Sequence, residues 1–88
     1  MSETDIDFEK FIKGIEAQLQ LNRVRNVEKD EGKPLELWAL ILGRPTGNLM
    51  AAVEDKRLDD VEKYVFQVSA VLAEIYGKVR ELKNSANK

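Results

Sequence analysis

The chain has 88 residues with 14 basic and 16 acidic side chains, a net charge of −2, and neither cysteine nor histidine. One domain fits this length and two do not. The missing residue types exclude disulfides, thiolate nucleophiles, Cys/His zinc sites and a Ser-His-Asp triad, leaving carboxylates, Lys, Tyr or a carboxylate-held hard metal for any chemistry.

The N-terminal "MSETDIDFEK" is acidic, with no long apolar run behind it, so neither a signal peptide nor a membrane span is expected. No segment reaches the roughly 18 consecutive apolar residues of a spanning helix, and the expected location is cytoplasmic. A first helix is expected to open near Thr4 or Asp5, with Asp7 and Glu9 favourably placed against its dipole. Phe8, Phe11, Ile12, Ile15 and Leu19 recur at helical spacing, and Leu21, Val24 and Val27 continue the pattern less cleanly. "EKDEGKP", with Gly32 and Pro34, is expected to be a charged loop.

A second helix is expected from Pro34, a residue suited to a first turn. Leu35, Leu37, Trp38, Leu40, Ile41 and Leu42 leave it little polar face, and a helix this apolar is buried on more than one side. Trp38, among apolar neighbours, is expected in the core. Pro45 lacks a backbone donor and disfavours helical geometry at Arg44, so an interruption is expected near Pro45 before Leu49, Met50, Ala52 and Val53 resume the period.

After the polar "EDKRLDD", the series Leu58, Val61, Val65, Val68, Leu72, Ile75, Val79 and Leu82 alternates by three and four residues, a seam of about seven turns. Tyr64, Phe66, Val71 and Tyr76 widen it beyond what one partner helix covers. Residues 83–88 are expected to fray. The fold expected is all-α: a single domain over 1–88, a bundle of three main helices with an interrupted middle one, completed by a homodimer or higher homo-oligomer.

"WALILGRPTGNLMAAV" followed by "VEKYVFQVSAVLAEIY" resembles the MazG-like, all-α nucleoside triphosphate pyrophosphohydrolases. Leu42-Gly43, Gly47 and Gln67-Val68-Ser69-Ala70-Val71 fall in that family's register, and the resemblance spans roughly residues 35–76. In such enzymes, carboxylates on two facing helices hold Mg²⁺ against the phosphates and activate water. The resemblance puts Arg44, Pro45, Asn48, Tyr64 and Gln67 at the five acidic positions, and none of them is a carboxylate. It therefore implies a degenerate, catalytically inactive member with no bound metal or cofactor. Arg44, Asn48, Tyr64 and Gln67 would be the remaining ligand-binding residues, for a nucleotide without hydrolysis or for a protein partner.

Two alternatives remain open in the sequence. Glu54, Asp55, Asp59, Asp60 and Glu62 cluster around the second connection, where a relocated acidic metal site would sustain an active pyrophosphohydrolase. "ALILGRPTGNLMAAV" also fits a helix-turn-helix, with Pro45 in the turn, Thr46 capping a recognition helix, and Arg44, Thr46 and Asn48 toward DNA. The acidic balance argues against nucleic acid, because no basic field is evident to displace counterions.

Overall fold

The computed structural model describes residues 6–30 and 34–86, which form three helices and no strand. Helix α1 runs Phe8–Asp30, α2 Leu35–Glu54 and α3 Leu58–Ala86. None is long and apolar enough to cross a membrane among the described residues.

Each helix end has a local cause. Asp7 caps α1: its Oδ1 accepts the Lys10 N–H at 3.0 Å, and its carbonyl accepts the Phe11 N–H at 3.0 Å. The expected start at Thr4 or Asp5 lies outside the described residues. At its other end α1 carries Glu28, Lys29 and Asp30 in helical conformation, so the charged segment begins as helix rather than as loop. Pro34 precedes α2 in extended geometry (φ −70°, ψ 158°), and its carbonyl accepts the Leu37 N–H at 3.1 Å. Proline has no polar side chain with which to cap.

α2 corrects the expectation of a break. It runs unbroken from Leu35 to Glu54 with Pro45 inside it. Proline's φ is itself helical, so Pro45 costs the helix one donor and some crowding of the preceding turn. Packing on α3 on both sides of Pro45 offsets that local cost, since Trp38 and Ala52 are both buried. Helical packing reaches further than local propensity here.

α2 ends in a Schellman motif. The Arg57 N–H reaches the Ala52 carbonyl at 3.0 Å and the Lys56 N–H the Val53 carbonyl at 3.2 Å. Lys56 holds the left-handed position at φ 56°, where glycine is usual. α3 begins directly afterwards with Asp59 and Asp60 in its first turn. It continues through Ala86, so residues 83–86 of the tail expected to fray are helical here; residues 87–88 lie outside the described part.

α3 is the spine. α2 packs along it most extensively, α1 packs on it as well, and among the described residues no packing of α1 on α2 is seen. On the α1 side, Phe66 lies against Gly14, where a Cβ would run into its ring. Phe11 closes on the same ring at 5.9 Å between centroids. Ala70, four residues beyond Phe66, is fully buried, and four further on Glu74 receives Arg23 at 3.1 Å. That ion pair is exposed on the Arg23 side and contributes about 0–1 kcal/mol.

The core is thin. Trp38, Ala52, Ala70 and Val71 are its buried apolar residues among those described. The radius of gyration is 15.0 Å, against about 12 Å for a compact chain of this length. The accessible surface is 7179 Å² for 10.0 kDa, against about 5,200 Å² for a compact monomer of that mass.

Gly14 and Gly77 should respond oppositely to alanine. Gly77 has open space at its Cβ position, so Gly77→Ala should raise stability by about 0.5–1 kcal/mol. Gly14→Ala should lower it by about 1 kcal/mol net, as overpacking against Phe66 outweighs the propensity gain. Urea melts of the two variants beside the parent chain check the pair. At the α2–α3 corner, Lys56→Gly should stabilise by less than about 1 kcal/mol and Lys56→Val should destabilise by about 1–2 kcal/mol, read as shifts in the thermal midpoint.

Candidate functional site: a cleft between the three helices

α1 and α2 each lie on α3, and a cleft of about 470 Å³ opens between them. Its size falls within the range of small-molecule sites, roughly 300–1,000 Å³. α2 contributes Ile41, Arg44, Pro45 and Asn48, spaced so that one face of the helix presents all of them. α3 contributes Lys63, Tyr64, Gln67 and Val71 from the opposite wall, and α1 contributes Gln18 and Asn22.

Arg44, Asn48, Tyr64 and Gln67, singled out in sequence, therefore share one cleft, together with Pro45. The unbroken α2 makes this possible. An interruption at Pro45 would rotate Asn48 away from the face that carries Arg44. Sequence reasoning did not find Gln18, Asn22 and Lys63. Gln18 and Asn22 stand four apart on α1, and Gln18 Nε2 donates to Asn22 Oδ1 at 2.9 Å. A polar pair at that spacing beside Ile15 and Leu19 was the available signal.

The chemistry of the lining is one-sided. Among the described residues it holds the cations Arg44 and Lys63, the amides of Gln18, Asn22, Asn48 and Gln67, and the Tyr64 phenol, with no carboxylate. Arg44 is exposed and has no acidic partner among the described residues. Lys63 holds its ammonium 5.2 Å from the centre of the Tyr64 ring, within cation–π range. Such a wall offers donors and positive charge to an anion, whereas a hard divalent cation needs several oxygen ligands with negative charge.

The acidic residues of the second connection do not assemble into a substitute cage. Arg57 sits among them, with Nη1 2.6 Å from Asp60 Oδ2 and Nε 3.6 Å from Asp55 Oδ2. Among the described residues no three acidic side chains converge to hold a metal ion. Glu54, Asp55, Asp59, Asp60 and Glu62 therefore do not form the relocated site that their clustering in sequence suggested. Glu62 instead borders a separate hollow beside Gly14 and Phe66, with Asp7, Lys10 and Lys13 at its rim.

The helix-turn-helix arrangement is corrected as well. It requires a turn between Gly43 and Gly47, and α2 is helical throughout that stretch. Arg44 and Asn48 face the cleft, and Thr46 is half-buried inside the helix rather than capping a new one. Trp38 is buried at 8% exposure and does not line the cleft. Tyr76 stands apart from it, solvent-exposed, with Arg80 donating to its hydroxyl at 3.4 Å.

Comparisons with protein-family models, with curated proteins and with solved structures found no match for this chain.

Cleft and core should separate cleanly in stability measurements. Arg44→Ala removes an exposed side chain with no ion pair, so it should change unfolding free energy by less than about 0.5 kcal/mol. Trp38→Ala empties the core and should cost about 3–5 kcal/mol, enough to unfold much of a chain with so little buried surface. Circular dichroism in a urea series distinguishes the two.

Proposed function

We propose that the protein is a non-catalytic, MazG-like binding module whose interhelical cleft takes a small anionic molecule of the nucleoside phosphate class, in the cytoplasm and without a metal cofactor. The observation that carries this reading is the cleft lining itself: among the described residues Arg44 and Lys63 face it and no carboxylate does. A pyrophosphohydrolase of the resembled family surrounds its substrate's phosphates with acids and lets Mg²⁺ supply the positive charge. Here the protein's own side chains supply that charge, at a place the resemblance equates with the metal site.

Roles follow from chemistry. The Arg44 guanidinium suits a phosphate through a two-pronged, charge-assisted pair, and the Lys63 ammonium adds a point charge. Asn48 and Gln67 each present both a donor and an acceptor, the requirement for recognising a base edge or a ribose. Tyr64 offers an apolar face and a polar tip. Ile41 and Val71 supply the dry floor. No described residue of the lining is a carboxylate able to hold Mg²⁺ or deprotonate water, and on this reading a bound triphosphate stays intact.

Calorimetry with ATP, GTP and pyrimidine nucleoside triphosphates, in EDTA, checks the proposal. Binding should occur without divalent metal. Arg44→Glu should weaken it by about tenfold to a hundredfold, the worth of one charge-assisted hydrogen bond of about 1.5–3 kcal/mol. Nucleotide incubated with Mg²⁺ should be recovered uncleaved. Hydrolysis abolished by EDTA would overturn the non-catalytic reading, and an absence of binding to every nucleotide tested would overturn the ligand class.

A further inference from the structure

We infer that the outer face of α2 is a self-complementary interface, on which a second copy of this chain docks its own α2 antiparallel about a two-fold axis near position 45. Three observations converge on it, independent of what the cleft binds.

The first is a pair of unexplained glycines. Gly43 and Gly47 sit in the interior of α2, where each costs roughly 0.5–1 kcal/mol relative to alanine. Gly14 has its reason in Phe66, but a methyl group added at Gly43 or Gly47 would meet no packed atom within 4 Å. No described residue of the subunit requires them to be small. With Ala39 and Ala51 they form a stripe at four-residue spacing, about 18 Å long, that lets another backbone approach closely.

The second is exposed apolar surface on a nearly uncharged helix. Leu40 is 75% exposed and Met50 62%, flanking the stripe. Between Glu36 and Glu54, Arg44 is the only charged residue. A helix with so wide an apolar surface is normally buried on more than one side, yet among the described residues α2 packs on α3 alone within the subunit. The chain's accessible surface of 7179 Å² exceeds that of a compact monomer by roughly 1,900 Å². A standard interface takes about 800 Å² from each partner, less than this surplus, to which exposed apolar side chains of α1 and α3 contribute as well as those of α2.

The third observation selects the occupant. A two-fold interface requires each residue to suit its symmetry mate. Read outward from Pro45, the exposed face of α2 is a near-palindrome: Gly43 matches Gly47, Leu40 matches Met50, Ala39 matches Ala51 and Leu37 matches Val53. An antiparallel pair about that point sets small residues on small ones and interleaves Leu40 with the other copy's Met50. Glu36 and Glu54 fall at the two ends, in solvent, where salt screens their mutual repulsion. An unrelated partner would not call for this symmetry.

Sedimentation equilibrium of the full chain across a micromolar series, with circular dichroism on each sample, is the test. The parent chain should be a dimer. Leu40→Lys and Gly47→Leu should each weaken association by at least about tenfold while leaving helicity unchanged, because both positions are open to solvent within the subunit. Leu72→Lys, at an exposed apolar position on α3, should leave the dimer intact. A monomeric parent chain, a dimer that survives both α2 variants, or a dimer that Leu72→Lys breaks and Leu40→Lys does not, would each overturn the inference.

Discussion

α3 is in contact with both of the other helices, and the remaining features of the molecule follow from that. Its Phe66 meets α1, and another part of its surface meets α2. Among the described residues each outer helix is supported by α3 and not by the other. The burial of Phe66 over Gly14 and of Trp38 and Ala52 on the α2 side therefore act as separate anchorages on a common spine. With so few side chains fully removed from water, the hydrophobic term is small for the chain's length, and local features such as the Asp7 cap and the Schellman turn at Lys56 carry an unusual share of the stability.

The same arrangement creates the cleft. A closed three-helix bundle would bring α1 against α2 and fill the space with apolar contact. Here the space is lined by amides, a phenol and two cations, groups that keep their hydration only if the cleft stays open. Polarity of the lining and separation of the helices are mutually consistent. Openness also leaves Arg44 in water with its charge uncompensated, the condition under which an arginine is available to an incoming phosphate. At the α2–α3 corner the opposite holds: Arg57 is engaged by Asp55 and Asp60, and the acids there neutralise a cation of the protein's own.

Pro45 connects the cleft to the outer face of α2. Because the helix runs through it, Arg44 and Asn48 stay in phase on the cleft side, while Gly43 and Gly47 stay in phase on the outside. A break would scatter both sets. One continuous helix thus presents a polar edge to the cleft, an apolar face to α3 and a small-residue face to solvent.

The helical class, the number of helices and most of their register were legible in the amino-acid sequence alone. They follow from the period of apolar side chains, which a single chain displays directly: Phe8 to Leu19 on α1 and the Leu58 to Leu82 seam on α3. The sequence also pointed to Arg44, Asn48, Tyr64 and Gln67 as neighbours in space. Other features emerged only from how the helices pack. Local rules at Pro45 foretold a break, but packing of Trp38 and Ala52 on α3 outweighed one lost hydrogen bond. Local charge density around Asp59 suggested a metal cage, but Asp55 and Asp60 are taken up by Arg57 and no three acidic side chains converge among the described residues. Gln18 and Asn22 joined the site because α1 lies on α3 beside it, and Lys63 because it stands next to Tyr64 on α3. Periodicity is a property of one helix, whereas the distance between two helices depends on which residues happen to be small or large where they cross, as with Gly14 beneath Phe66.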